Sequence, residues 1–349
     1  LGWFALALML PSGLEAHKPT KTRFTYHKDV YPIFERRCGS CHREGGAGPM
    51  SLLRYKDTFP WAVSIKNQVL ALAMPPWFAD ERYGSFRHSG SLTATEVDTI
   101  VDWCLGGAPE GSAGDGAALP KETSTRTKPD LELTFEEVFV LAADRGEALH
   151  DALLPTDLGR DRVLRSMELL PESSSVVRSA VFYVVPKGKK PGAPAATWIA
   201  GESGEVWPDG TGVRFPAKAS LLVRVHYKKT WIEEGKEIRD RSAVAISFAK
   251  RNAEPAESVV VGTREPYALP RDVEVLSLMP SVGVAVETLV AEAILPDGTA
   301  RPLIRLRNPD PAWPRTYWLE EPLALPKGSR LRVESSAAEA SLVVNVVRD

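Results

Sequence analysis

The stretch "SLLVRVHYK" at residues 220–228 indicates the main element of the fold. From Val223 onward its apolar and polar side chains alternate, and successive side chains of a strand point to opposite faces. One face carries Val223, Val225 and Tyr227, and the other carries Arg224, His226 and Lys228. This alternation predicts a β-strand with one buried face. We expect His226 to be half-exposed on the polar face.

Similar β-rich runs recur from residue 130 to the end of the chain. They are "SAVFYVV" (179–185), "SAVAISFA" (242–249), "ESVVVG" (257–262), "VEVLSLM" (273–279) and "ASLVVNVV" (340–347). Turn signals separate several of them, as in "WPDGTG" (207–212) and "LPDGT" (295–299). So many strands exceed one small sandwich. We predict two all-β jelly-roll or sandwich domains, at 130–255 and 256–349.

A different pattern precedes the strands. "HKDVYPIFERR" (27–37) places Val30, Ile33, Phe34 and Arg37 on one helical face. In "SLTATEVDTIVDWCLGGAP" (91–109), Thr93 and Glu96 have capping-box spacing, and the final glycines end the helix. We predict a small all-α domain at 22–112, in which Cys104 is a buried small hydrophobe, and a linker at 113–129 rich in small and polar residues.

Composition limits the function classes. The chain has 349 residues, a formal net charge of −2 and 44% apolar residues. These values are typical of a soluble globular protein and lack the basic excess of nucleic-acid binders. Residues 1–16 read as the end of a secretory signal, so we expect a periplasmic or otherwise extracytoplasmic protein. Exported chains often carry disulfides, but this one has three cysteines, two of them close together.

Those two form the motif Cys38-Gly-Ser-Cys41-His42. Three chemistries use two cysteines at this spacing, namely a dithiol redox switch, half a zinc site and covalent haem attachment. A zinc site lacks a second ligand pair, because Cys104 and His88 are the nearby candidates and neither has a suitable spacing. A redox motif would follow a strand, whereas a helical pattern precedes this one. We expect one covalent haem c, held by Cys38 and Cys41 with His42 on the iron.

The second axial ligand is predicted to be Met74. It lies in "LALAMPPWFAD" (70–80), where two prolines oppose a helix and Trp77 supplies apolar cover. Met50 and His88 are the alternatives. An iron-ligating histidine also donates its other ring proton to a fixed acceptor. The carbonyl of Pro49, or of another loop residue, is expected to accept it.

These features resemble a class I cytochrome c domain. The resemblance covers 27–109 and follows the bacterial pattern C-x-x-C-H, GPMSL (48–52), MPPW (74–77), LT (92–93), Glu96, Trp103 and GAP (107–109). It implies the small α-helical fold and a haem with histidine and methionine as axial ligands.

Residues 130–349 resemble a second family. "DRVLRSMELLPESSSVVRSAVFYVV" (161–185), "WPDGTGVRFPAKASLLVRVHY" (207–227) and "PAWPRTYWLEEPLALPKGSRLRVES" (311–335) are similar to the two jelly-roll domains of ascorbate-dependent type II copper monooxygenases. Peptidylglycine and dopamine hydroxylases belong to that family, and bacterial relatives carry a cytochrome in front. The resemblance implies the jelly-roll fold. It implies copper chemistry only where the copper-ligating residues are kept.

Most copper-ligand positions differ from the family pattern. Arg178 and Ser179 stand where the family has a His-His pair, and Ser281 begins the tripeptide that replaces His-x-His. His226 alone matches a ligand position, and one imidazole does not make a copper site. We therefore expect no catalytic copper.

The sequence predicts a monohaem cytochrome for extracytoplasmic electron transfer to a redox protein partner. The β-module would be a non-catalytic docking or scaffold element, and the chain could belong to a larger, membrane-associated redox complex. A haem-fed copper hydroxylase is the alternative. A binding protein with a structural haem is a third reading.

Overall fold

The computed structural model describes residues 21–114 and 128–348. The predicted signal segment 1–16 and most of the predicted linker lie outside the described residues. Strands dominate the described chain, and the helices are short and lie before residue 106. The molecule is thus mostly β-sheet, as the repeated alternating runs predicted.

The helices form the N-terminal part. A π-helical turn, Tyr26–Val30, continues into α1, Tyr31–Arg37. Then follow α2, Tyr55–Thr58, a 3-10 turn, Phe59–Trp61, and α3, Ala62–Leu70. The last helix is α4, Ala94–Leu105. The first and last were predicted from their periodicity, whereas α2 and α3 were not.

A small aromatic core joins these helices. Tyr26, Phe34 and Trp103 are almost fully buried, and the Phe34 and Trp103 rings meet edge to face at 6.2 Å. The predicted capping box is confirmed, because the Glu96 amide donates to Thr93 Oγ1 and the Thr93 amide donates to Glu96 Oε2. Cys104 packs against this core but is only partly buried.

The strands up to residue 248 build the first sandwich. They are β1 (Leu131–Thr134), β2 (Phe139–Leu141), β3 (Glu147–Pro155), β4 (Arg162–Leu170), β5 (Val177–Val185), β6 (Ala196–Ile199), β7 (Glu205–Val206), β8 (Thr211–Phe215), β9 (Ser220–Lys228), β10 (Ile238–Asp240) and β11 (Ala243–Phe248). One sheet has the order β1-β11-β4-β8, and the other has the order β3-β9-β5-β6. Their inner faces enclose one apolar core.

The remaining strands build the second sandwich. They are β12 (Glu254–Gly262), β13 (Tyr267–Ala268), β14 (Val273–Ser281), β15 (Thr288–Ile294), β16 (Ala300–Arg307), β17 (Tyr317–Leu325), β18 (Arg330–Ser335) and β19 (Ser341–Arg348). One sheet is β12-β19-β14-β17 and the other is β13-β18-β15-β16. A second apolar core lies between them.

Strand β12 joins the two sandwiches. Its first residues pair in parallel with β8, through Glu254 and Thr211, and its remainder pairs with β19. The predicted boundary at 255/256 therefore falls inside a continuous strand. The large sheet of the described residues runs through both sandwiches, so they share backbone hydrogen bonds as well as side-chain contacts.

The helical part also contributes a segment to the second sandwich. Trp77 and Phe86 belong to its apolar core, and Ala79 and Phe86 form isolated β-bridges with Leu306 and Leu319. The Asp80 carboxylate accepts a hydrogen bond from Arg307 at 2.6 Å. Residues within the predicted 22–112 domain are thus held by strands more than 200 positions away, which local pattern does not reveal.

Among residues 21–114 and 128–348, every helix is too short or too polar to cross a bilayer.

Candidate functional site

The cysteine–histidine motif forms one tight turn at the end of α1. The amides of Cys41 and His42 both donate to the carbonyl of Cys38, at 3.1 and 2.8 Å. Gly39 is buried there, and an added Cβ would lie 2.9 Å from the Glu35 carbonyl. The turn brings the two thiols and the imidazole of the motif onto a single short segment, as the sequence predicted.

The loop after the motif fixes the orientation of the His42 ring. Nδ1 lies 3.1 Å from the carbonyl oxygen of Met50, so the carbonyl that meets the ring belongs to another loop residue, the predicted alternative, and not to Pro49. The Leu52 amide donates to the His42 carbonyl at 2.9 Å and closes the loop so that residue 50 faces the ring. With the proton on Nδ1, Nε2 carries the free lone pair, which is the form that ligates a metal.

A glycine allows this close packing. A Cβ added to Gly48 would lie 2.5 Å from His42 Nδ1. The backbone therefore lies directly against the imidazole and restricts its rotation. Burial lowers the pKa of His42, which keeps the ring neutral near pH 7.

Burial shifts the pKa of the two thiols upward, opposite to its effect on the pKa of His42. It raises the pKa of Cys38 to about 12 and also raises that of Cys41. A dithiol redox catalyst needs a thiolate with a lowered pKa, so this environment disfavours that alternative. Among the described ranges, no cluster of three or more His, Cys, Asp or Glu side chains could hold a metal ion.

The three candidate distal ligands occupy different surroundings. Met74 is half-buried in the loop after α3, and its amide donates to Gln68 at 3.4 Å. Met50 packs against the helical core, and its carbonyl is the one that meets His42 Nδ1. His88 is exposed, in a left-handed backbone conformation with φ of 53°. Of these, Met50 is tied to the Nδ1 side of the imidazole.

Trp77 has a role beyond the predicted apolar cover. Its ring meets Tyr317 edge to face at 5.1 Å inside the second sandwich, and the Arg315 guanidinium lies 5.1 Å from the ring centroid. It thereby anchors the chain just after Met74 to the β-module. The two prolines lie outside any helix, as predicted.

The first sandwich covers the motif, which the sequence did not indicate. Cys41 Sγ donates to the carbonyl of Ala200 at 2.9 Å, in the loop between β6 and β7. Gly201, with φ of +83°, would place a Cβ 2.9 Å from the same sulfur. Ser174 donates to the Gly45 carbonyl at 2.8 Å, and Ala47 enters the first apolar core. The motif is therefore packed against a β-sandwich.

Two arginines of the β-module lie near the motif and act electrostatically on Cys41. Arg315 forms a two-point ion pair with Glu202, at 3.0 and 2.6 Å. Arg178 in β5 is buried, and its guanidinium donates to the Ser175 carbonyl at 3.1 Å. Arg178 stands at a position predicted from family resemblance to have lost a copper ligand, and that position adjoins the motif.

His226 is buried, so the expectation of a half-exposed residue is wrong. It is 6% exposed, and its Nε2 lies 2.7 Å from Glu147 Oε1. The cause is its position in β9, which runs between β3 and β5, where Glu147 on β3 covers the ring. Its Nδ1 is buried without a hydrogen-bond partner in the described chain. His150 instead packs against Phe139, with ring centroids 4.6 Å apart.

The donor set of the motif turn fits a covalent haem. Two neutral thiols and an imidazole with a fixed Nδ1 proton are present, and glycines occupy the close approaches at positions 48 and 201. The same set lacks the carboxylates and further thiols of a closed zinc or copper centre.

Comparison with known proteins gives weak structural similarity and no family. No protein-family model matches the chain. No curated protein matches it either. Among solved structures, it is similar to the empty particle of cowpea mosaic virus, with TM-score 0.24, 9% identity, and coverage of 60% of this chain and 92% of that chain. It is also similar to the major capsid protein P2 of bacteriophage PM2, with TM-score 0.24, 10% identity, and coverage of 62% of this chain and 96% of that chain.

A third similar structure is a variant of Bacillus subtilis oxalate decarboxylase, with TM-score 0.13, 9% identity, and coverage of 66% of this chain and 80% of that chain. Overlap at these scores is too low to carry a conclusion about this chain.

Proposed function

We propose that this chain is a monohaem c-type cytochrome for electron transfer outside the cytoplasm. In this proposal the helical region is a class I-type cytochrome c domain, and the two sandwiches are a degenerate copper-monooxygenase-like jelly-roll module. The module serves as a docking or scaffold element for a redox protein partner, and the chain is a candidate subunit of a membrane-associated complex.

The single observation that carries the proposal is the geometry at His42. His42 lies in the turn that also holds both cysteines, and its Nδ1 is 3.1 Å from the Met50 carbonyl oxygen. Covalent haem attachment is the chemistry that requires two thiols with a histidine immediately after them. A fixed Nδ1 proton presents Nε2 in the orientation and tautomer that an axial ligand needs.

Each residue has a defined role in the proposal. Cys38 and Cys41 would tether the cofactor through their sulfur atoms, and His42 Nε2 would ligate the iron. Met74, on the loop held by Trp77, would supply a further ligand. A bound haem supplies a one-electron Fe(III)/Fe(II) couple, and histidine with methionine ligation raises its potential relative to two histidines.

Met74 is preferred over Met50 for a geometric reason. The Met50 carbonyl accepts from Nδ1, which points away from a metal bound at Nε2. A distal ligand must approach from the far side of that metal. The half-buried Met74 side chain lies on a separate loop and is not tied to the Nδ1 side of the ring.

The test is covalent haem in a chain expressed with a cytochrome c maturation system and exported. Wild-type protein should retain haem stain on denaturing gels and after acid–acetone extraction. Cys38→Ser with Cys41→Ser should lose it, whereas Cys104→Ser, which alters the remaining thiol, should not. Release of free haem from intact wild-type protein would end the proposal.

Metal analysis separates the cytochrome from the hydroxylase alternative. After copper loading we expect about one iron per chain and no stoichiometric copper, because catalysis of that type needs several soft, neutral ligands at each copper. Two tightly held coppers, or ascorbate-driven hydroxylation of a peptide or amine, would favour the enzyme.

A further inference from the structure

The first sandwich holds a buried cation that the proposed function leaves without a role. Arg178 is 6% exposed, and its guanidinium makes one hydrogen bond in the described chain, to the Ser175 carbonyl at 3.1 Å. A guanidinium has five N–H donors, and buried charges are ordinarily paired with carboxylates. An unpaired buried arginine therefore requires an explanation.

The nearby carboxylates are committed to other partners. Glu147 accepts from His226 at 2.7 Å and lies 3.5 Å from the Lys228 ammonium. Glu233 accepts from the amide and the hydroxyl of Thr230, at 3.0 and 2.5 Å. Both act on Arg178 through space, but neither forms an ion pair with it.

A short path of hydrogen bonds links Arg178 to the motif. The Ala200 amide donates to the Arg178 carbonyl at 2.9 Å, and Cys41 Sγ donates to the Ala200 carbonyl at 2.9 Å. The guanidinium itself lies beside the loop after the motif, because it donates to the Ser175 carbonyl and the neighbouring Ser174 hydroxyl donates to the Gly45 carbonyl at 2.8 Å. Arg315 is also close to Cys41, but Glu202 offsets its charge.

We propose that Arg178 is the residue through which the first sandwich raises the reduction potential of the iron held at His42. The inference rests on the proposed function. An unpaired positive charge favours the reduced iron, whose net charge is lower by one. Because the guanidinium is buried, solvent ions screen it much less than they screen surface charges.

The experiment is a spectroelectrochemical titration of the full-length holoprotein and its Arg178→Met variant. Methionine removes the charge, and replacing an unpaired buried charge by an apolar side chain should not lower Tm. Covalent haem and the axial spectrum should be retained. The ferric-to-ferrous ratio at the wild-type midpoint should rise roughly tenfold, as expected for loss of a nearby unit charge.

Two control variants isolate the charge. Arg178→Lys should keep a potential close to wild type. Arg224→Gln removes an arginine of the same sandwich that is exposed and paired with Asp151 at 2.8 Å, and it should leave the potential unchanged.

An unchanged potential in haem-loaded Arg178→Met overturns the inference and leaves the cytochrome proposal intact. Failure of the wild-type chain to attach haem overturns the cytochrome proposal itself. If Arg178→Met does not fold, Glu233→Gln is the second arm. It removes a negative charge that offsets Arg178 and should raise the potential, and no change there overturns the inference.

Discussion

The molecule presents two buried or half-buried imidazoles in very different settings. His42 lies on a helical turn, with Nδ1 held by a backbone carbonyl and Nε2 without a hydrogen bond among the described residues. His226 lies on a central strand, with Nε2 held by the Glu147 carboxylate and Nδ1 enclosed. The first ring leaves one nitrogen free of hydrogen bonds among the described residues, whereas the second is enclosed by packing. Burial of a histidine alone therefore does not identify a functional site.

The largest expected effect is on the visible spectrum of the oxidised holoprotein, and it separates Met74 from His226. Met74→Ala should abolish the weak long-wavelength ferric band of a methionine–iron bond and lower the potential. His226→Ala should leave the absorption spectrum unaltered, because the hydrogen bond of that ring is to Glu147 and not to a residue of the motif. Visible spectroscopy of the oxidised holoproteins measures both.

An unchanged band in Met74→Ala would instead favour Met50 or His88. A changed band in His226→Ala would show that His226 also affects the haem, against the distinction drawn between the two imidazoles.

The next effect tests whether the helical region and the second sandwich form one folding unit. Trp77→Ala should lower the free energy of unfolding by about 3–5 kcal/mol, because a buried ring leaves the second core. Trp231→Ala is the matched control. It is 59% exposed and should lower this free energy by less than about 1 kcal/mol. Denaturant unfolding followed by far-UV circular dichroism measures both.

Equal values for the two tryptophan variants would show that Trp77 does not stabilise the sandwich.

A smaller effect concerns the joint between the sandwiches. The Glu205 carboxylate accepts from the Thr197 amide at 2.8 Å and from Thr316 at 3.1 Å, and its other oxygen is buried without a partner in the described chain. Burial raises its pKa to about 7 from an ordinary value of 4.5. Between these values the folded state binds more protons than the unfolded state, so stability falls as pH rises.

We expect the free energy of unfolding to fall by about 2–3 kcal/mol from this group between pH 5 and pH 8. Glu205→Gln should remove that component, so the difference between the two proteins isolates it from other titrating groups. A difference that does not vary with pH would contradict the assignment.

The smallest effect concerns the contact between the first sandwich and the motif. Gly201→Ala places a Cβ against Cys41 Sγ and the Ser40 backbone, at positive φ. Gly188→Ala also has positive φ, but nothing lies within 4 Å. In both variants the strained backbone should lower the free energy of unfolding by roughly 1 kcal/mol. In Gly201→Ala the added contact should lower it by about 1–2 kcal/mol more. Thermal unfolding measures the difference, and equal losses would mean that the loop yields without strain.

Local pattern was enough for much of the fold. Alternation in "SLLVRVHYK" predicted β9, and the other β-rich runs predicted β5, β11, β12, β14 and β19, which the structure confirms. The Thr93–Glu96 spacing predicted the start of α4. Both signals arise from contacts within one element, because a strand face or a helix cap depends on residues a few positions apart.

The site divides in the same way. The sequence determined by itself the motif Cys38-Gly-Ser-Cys41-His42, since its spacing is local. It did not determine that Met50, rather than Pro49, faces Nδ1, because a loop closed from both ends sets which carbonyl meets the ring.

Only the tertiary structure decided the surroundings of that motif. It placed the Ala200 carbonyl against the Cys41 sulfur, Trp77 in the second core, and Arg178 without a paired carboxylate among the described residues. It also buried His226, which alternation alone had assigned to a half-exposed face. These outcomes depend on which segments fold together, and contacts between residues as far apart as Cys41 and Ala200 leave no periodic pattern in the local sequence.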